Sequence, residues 1–179
     1  HANWQRLAAR PFTYAEQGAT QGTFPAGYDH DRNRICIGEG AQAFEAGKAA
    51  LRGWRHFPAG WTHIYPAQAA LREGENIVML FRLFGLWWHN ACRIVYTIDE
   101  PSRFGFAYGT VLGHVERGEE LFMVSMDEAG KAWYQLEAFS RPAIWIARLG
   151  YPLARYHQRR FVRDSLRQMQ QAGQILADV

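Results

Sequence analysis

The stretch Gly113-His114-Val115-Glu116-Arg117-Gly118-Glu119-Glu120 gathers a histidine and three carboxylates within eight residues. A histidine titrates near neutral pH, and a carboxylate close to it can take or return a proton. His114 and Glu120 are therefore the candidate acid/base pair. The glycines that bracket the stretch allow unusual backbone geometry. The alternative is a solvated hairpin loop whose charges serve only solubility.

The runs beside this turn have strand character, and their faces sort the remaining candidates. From Phe104 onward, Phe104, Phe106, Tyr108 and Thr110 share one side, and Gly105, Ala107 and Gly109 share the other. A face made wholly of small residues implies close approach by a helix or a ligand. On the next-but-one run, Tyr134, Leu136, Ala138 and Ser140 oppose Trp133, Gln135, Glu137 and Phe139. Tyr108 and Tyr134 can offer hydroxyls to a ligand, or serve as core aromatics with satisfied hydroxyls. Glu137, set between aromatics, needs a partner if buried, and Arg141, Arg93 or Arg82 can supply one. Such a pair is either a structural ion pair or a pocket carboxylate. Phe106 and Trp54 are aromatic candidates for the pocket wall, and Arg141 completes the set of expected ligand-binding residues.

Several chemistries lack their signatures. The seven histidines lie at 1, 30, 56, 63, 89, 114 and 157, with no pair at the close spacings of a metal site. No phosphate-binding loop, nucleophile elbow or dinucleotide fingerprint occurs, and no metal or cofactor is expected. Cys36 and Cys92 read as two reduced, buried thiols. The apolar run Ile77–Trp88 is broken by Arg82 and is too short for a membrane helix. With no targeting segment, a cytoplasmic protein is expected.

Charge is uneven. Residues 141–179 hold seven arginines against Asp164 and Asp178, a net +5 in a chain whose total is +3, which leaves −2 elsewhere. The basic character belongs to one helix and not to the whole surface, which argues against a nucleic-acid partner. Arg148, Arg155, Arg159 and Arg163 recur near one helical face. That face can meet an acidic protein, nucleic acid or anionic lipid, or it can be a solvated outer face.

The elements that must position these groups follow from periodicity. Residues 1–33 read as an arm, with Trp4, Leu7, Phe12 and Tyr14 as anchors and a glycine-rich polar loop after them. Because exposed aromatics are costly, the arm is expected to lie over the body. Arg34–Gly38 is a strand, with Ile35 and Ile37 on one face. A helix over Ala41–His56 places Phe44, Gly47, Leu51 and Trp54 on one stripe, where Gly47 permits close approach. Strands follow at Trp61–Tyr65, Ile77–Phe84, Arg93–Ile98, Phe104–Thr110, Glu120–Met126 and Ala132–Phe139, with a wide aromatic turn at Gly85–His89. Ile94, Tyr96 and Ile98 are expected on one face. Pro142 is placed as the first residue of a long helix reaching to about residue 172 and kinked at Gly150-Tyr151-Pro152. Its apolar stripe reads Leu149, Leu153, Tyr156, Phe161 and Met169.

Strand, helix, six strands and a long helix, in one domain over 1–179, describe an α+β helix-grip fold of the START/Bet v 1-like kind. A curved antiparallel sheet of about seven strands wraps the C-terminal helix. The space between is either filled or a pocket. The segments PFTYAEQGAT, IGEGAQAFEAGKAALRGWRHF, FGFAYGTVLGHVERGEELFMVSMDE, WYQLEAFSRPA and IARLGYPLARYHQRRFVRDSLRQM together resemble the DUF1990 family, also called UPF0548. The resemblance covers most of the chain. It implies a helix-grip plan, a design whose members mostly bind apolar or aromatic small molecules, and it assigns no catalytic residue.

Two functional expectations result. One is a protein that binds a small apolar or aromatic molecule between sheet and helix, with acid/base chemistry at His114 and Glu120. The other is a non-enzymatic interaction module working through the arginine face.

Overall fold

The computed structural model describes residue 6, residues 9–143 and residues 151–174. Seven antiparallel strands form one sheet: β1 (Asp29–Glu39), β2 (Thr62–Tyr65), β3 (Asn76–Leu83), β4 (Leu86–Glu100), β5 (Arg103–Thr110), β6 (Glu116–Met126) and β7 (Lys131–Pro142). Their spatial order is β1-β7-β6-β5-β4-β3-β2. Helix α1 (Gly40–Arg52) and the C-terminal helix α2 (Tyr151–Gln174) pack on the inner face. This is the expected α+β helix-grip architecture.

Apolar alternation decides which side of each strand meets the helices. Phe104, Phe106 and Tyr108 of β5, Phe122 and Val124 of β6, and Tyr134 and Leu136 of β7 are all buried in the main core. The α1 residues Phe44, Gly47 and Leu51 are buried against them; the helix ends at Arg52, short of the expected His56, and Trp54 follows it at φ 55° and is also buried. Gly47 has the role its position predicts. A Cβ there would come within 2.7 Å of Ile37 and 2.9 Å of Val124. From α2, Phe161, Val162, Leu166 and Met169 join the core.

The arm lies over the outer face. Phe12, Tyr14, Phe24 and Tyr28 cluster with Phe139 of β7. On the small-residue face of β5 the close neighbour of Gly109 is this arm, since a Cβ there would collide with the Tyr14 ring, while a Cβ on Gly105 would meet the Phe122 and Met123 backbone of β6.

Several local expectations are corrected. β1 begins at Asp29, so the last residues of the presumed arm are strand, continuing the Ile35/Ile37 alternation backward through Asn33 and Asp31. The aromatic turn at 85–89 is instead a two-residue hairpin, with Phe84 and Gly85 at φ 52° and 78° and Leu83 paired to Leu86. Positive φ at both central residues is the geometry whose twist matches flanking strands. A bulge between Ile94 and Tyr96 turns Tyr96 to the outer face, where its hydroxyl bonds Thr20. Pro142 closes β7, paired with Glu116, and does not begin the helix. On α2, Tyr156 is exposed and does not share the grip stripe, and Leu153 is also exposed. Arg148, Leu149 and Gly150 lie outside the described residues. Both cysteines are free, Cys92 buried and Cys36 partly so. Among the described residues no helix is long and apolar enough to cross a membrane.

Candidate functional site

Cross-strand pairing sets the candidate residues in a row. Asp31 pairs with Ala138, Ala138 with Glu120, and Glu120 with Tyr108, carrying one line of inward-facing side chains across β1, β7, β6 and β5. The neighbouring row of Leu136, Phe122 and Phe106 is apolar and fully buried. Above the first row the helix and sheet separate and leave a cavity of about 350 Å³. Its walls are largely apolar: Trp61, Met79, Phe81 and Trp88 from the sheet side, Phe161 and Val162 from α2.

The cavity's carboxyl groups collect on β1 and β6, while Thr62 and Asn90 line it from β2 and β4. The Tyr108 hydroxyl donates to Glu120 Oε2 at 2.6 Å. Desolvation raises the Glu120 pKa to about 7, further raised by the charges of Glu116 and Asp31 and opposed by the Tyr108 bond. Glu116 is held by Gln158, whose amide donates to both carboxylate oxygens at 2.7 and 2.8 Å. Burial raises the Glu116 pKa as well. Arg155 of α2 forks onto Asp31 with bonds of 2.6 and 2.8 Å and donates to the Gln158 oxygen at 2.9 Å. The chain Asp31–Arg155–Gln158–Glu116 thereby ties α2 to both β1 and β6 at the cavity's rim.

His114 lines the same cavity, in the loop between β5 and β6. Its Nδ1 accepts the Glu116 backbone N–H at 2.9 Å. The neutral ring therefore carries its proton on Nε2. Desolvation lowers its pKa to about 4. His114 and Glu120 thus share a cavity without bonding to each other, and each is held by a different neighbour. The reason is that β6 begins at Glu116, so Glu120 stands well inside a strand while His114 remains in the loop.

The other expected site residues divide. Tyr108 faces the cavity. Tyr134 faces the same side but is fully buried in packed core, its hydroxyl 2.9 Å from Ser165 Oγ. Phe106 and Trp54 meet edge to face within that core, 4.9 Å between ring centroids, and the Trp54 indole donates to the Ala69 carbonyl. They support the floor rather than line the cavity. Glu137 and Arg141 are on the opposite face. Glu137 lies 3.7 Å from Arg32, and the Arg141 guanidinium sits over the Tyr28 ring. Alternation puts both with Phe139, under the arm's side of the sheet, which corrects their assignment to the pocket. None of Arg141, Arg93 and Arg82 pairs with Glu137; Arg32 across the β1–β7 ladder does.

Sequence reasoning missed Asp31, Gln158, His157 and the cavity-facing aromatics Trp61 and Trp88. Extending the Ile35/Ile37 alternation back to Asp31 would have found the first. The others depend on how α2 is laid across the sheet, which no local pattern encodes. Among the arginines, Arg155 is taken up by Asp31 and does not belong to a solvated face. Arg159, Arg163 and Arg167 line a groove between α2 and β1. Among the described residues no three His, Cys, Asp or Glu side chains are grouped to hold a metal ion.

Residues 13–168 match the family described as "Domain of unknown function (DUF1990)", and the chain belongs to that family. It is 37% identical over 173 residues to a UPF0548 protein of Deinococcus radiodurans, covering 90% of this chain and 87% of the relative. A UPF0548 protein of Dictyostelium discoideum is 35% identical over 157 residues, 81% of this chain and 73% of that protein. Among solved structures, the di-domain ARO/CYC StfQ from the steffimycin biosynthetic pathway superposes with a TM-score of 0.54 at 12% identity, over 85% of this chain and 53% of that one. At that identity the likeness is one of fold.

Proposed function

We propose that this DUF1990 protein binds a small, largely apolar or aromatic molecule in the cavity between the sheet and α2. The observation that carries this reading is the cavity itself: about 350 Å³ with largely apolar walls and its carboxyl groups gathered on β1 and β6. A concave apolar site with a few convergent polar groups is the usual design of a small-molecule site. A helix-grip neighbour whose name places it in a biosynthetic pathway is consistent with this reading.

Glu120 is the group in this cavity best poised for proton transfer, because its pKa of about 7 lets it hold or release a proton at neutral pH. Tyr108 orients it by a hydrogen bond. His114, with a pKa near 4, serves as a neutral Nε2–H donor on the cavity wall and not as a base matched to neutral pH.

The neutral fluorophore N-phenyl-1-naphthylamine tests the binding reading. It is expected to bind saturably at one site per chain. Ala138→Trp, which fills the cavity from the row between Asp31 and Glu120, is expected to abolish binding while circular dichroism shows a folded protein. Absence of binding to the parent protein, or undiminished binding to a folded Ala138→Trp variant, contradicts the reading.

A second reading rests on the groove lined by Arg159, Arg163 and Arg167. Here an anionic partner is bound by charge. Reversal of Arg159 and Arg167 to Glu is expected to remove binding to anionic vesicles or nucleic acid without changing fluorophore binding. Salt-insensitive binding counts against it.

A further inference from the structure

Among the described residues the polar end of the cavity is short of positive charge. Asp31, Glu116 and Glu120 bring three carboxyl groups to it. Arg155 is the one cation hydrogen-bonded into this cluster among the described residues, and its fork is taken up by Asp31. Glu116 is met by the neutral amide of Gln158. Glu120 receives a single bond, from Tyr108 to Oε2, and its Oε1 has no hydrogen-bond partner among the described residues. The two imidazoles on this wall do not make up the difference. Burial lowers the pKa of both His114 and His157, which favours their neutral forms.

A second observation points independently to a ligand. Trp61 Nε1 and His157 Nδ1 both belong to cavity-lining residues, and both atoms are buried without a hydrogen-bond partner. Buried polar atoms nearly always have one. An ammonium can donate to His157 Nδ1, while the Trp61 N–H calls in addition for an acceptor on the body of the molecule.

We infer that the molecule this cavity selects is a cationic amphiphile, an aromatic or apolar body bearing a protonated amine that docks on the free oxygen of Glu120. This rests on the cavity being a ligand site and names the chemistry of its ligand. An anionic head group would face three carboxyl groups. A neutral one would leave the charge imbalance in place. An ammonium supplies the missing counter-charge and hydrogen-bonds to Oε1, a charge-assisted contact roughly twice as strong as a neutral one. The raised pKa values of Glu116 and Glu120 agree, because burial without sufficient counter-charge penalises ionised carboxylates. The carboxyl groups also suit an organic cation better than a metal ion. Asp31 and Glu120 stand on β1 and β6 with β7 between them, a backbone separation of about 10 Å.

Three matched probes test the inference: 3-phenylpropylamine, 3-phenyl-1-propanol and 3-phenylpropionate. Affinities are measured by calorimetry or NMR titration at about pH 8, above the Glu120 value of about 7. The amine is expected to bind at least about tenfold more tightly than the alcohol, and the carboxylate most weakly. Glu120→Gln is expected to bring the amine down to the alcohol's affinity. Equal or tighter binding of the alcohol or carboxylate by the parent protein overturns the amine inference while the cavity reading stands. Retention of the amine preference in a folded Glu120→Gln variant also overturns it. Failure of all three probes overturns both readings.

Discussion

Glu119 points through the outer side of β6 into a cage of donors, while the next residue, Glu120, points inward to an open cavity. The Glu119 carboxylate accepts from the Tyr14 hydroxyl, the Gly18 and Thr20 backbone N–H groups and the Thr20 hydroxyl. Its residue is 2% exposed. Among the described residues Glu120 has the Tyr108 hydroxyl alone. The same residue type, one position apart, therefore serves two purposes. On the outer face the arm closes over a carboxylate and satisfies it, which fixes the arm. On the inner face α2 arches away and leaves a carboxylate with bonding capacity to spare. Saturated burial belongs to structure, and incomplete burial belongs to a site.

The largest effect that can break this contrast is expected at Glu119. Glu119→Ala strands four donors, and urea unfolding should show a loss of about 3–5 kcal/mol. A loss below that of an ordinary surface substitution would mean that the cage does not hold the arm.

The pH dependence of stability sharpens the other half. The Glu120 pKa is raised from 4.5 to about 7 in the folded protein. Between those values the folded state holds more protons than the unfolded one. The contribution of Glu120 is thus fully present below 4.5 and is lost as pH rises through 7, a decline on the order of 2–3 kcal/mol. Glu120→Gln should remove that decline. His56 and His114 act in the opposite sense. Burial lowers them from 6.5 to about 3 and about 4, so their stabilising effect is lost as pH falls below 6.5 toward those values. The acid limb should persist in Glu120→Gln. Loss of both limbs, or of neither, in denaturation curves across this range would contradict the assignment.

A smaller effect is expected where the arm meets β5. Gly109→Ala pushes a methyl into the Tyr14 ring and should cost about 1–3 kcal/mol. Ligand affinity should be unchanged, since the two faces are separate. The smallest effect is expected for Tyr108→Phe. It should cost about 1 kcal/mol or less in stability but raise the Glu120 pKa further, because the lost bond is the one that lowers it. Carboxyl NMR titration of Glu120 reads that shift directly.

Much of the fold was legible because burial imposes period on sequence. The stripe Phe44–Gly47–Leu51 and the alternation Phe104–Phe106–Tyr108 survive in the core, while Trp54 is buried from beyond the end of the helix. What failed has local physical causes. A single bulge after Ile94 reverses the face of Tyr96, and alternation alone cannot register an inserted residue. Glu137 and Arg141 were misplaced because nothing in β7 says which of its two faces is inner. Tyr134 faces inward with the helix, and the odd-numbered residues therefore face the arm. Of the site, the sequence pointed to Tyr108, His114 and Glu120. It could not show the rim network of Asp31, Arg155, Gln158 and Glu116, since 124 residues separate Arg155 from Asp31.

The central claim is that the inner face, and not the outer face or the arginine groove, receives a small molecule. A titration of isotope-labelled protein with N-phenyl-1-naphthylamine, followed by amide chemical shifts, tests it most directly. Saturable shifts centred on Tyr108, Glu120, Ala138 and Val162 are expected, with Thr20, Tyr14 and Arg167 unmoved. Shifts centred on Arg159, Arg163 and Arg167, or no saturable shift at all, would contradict it.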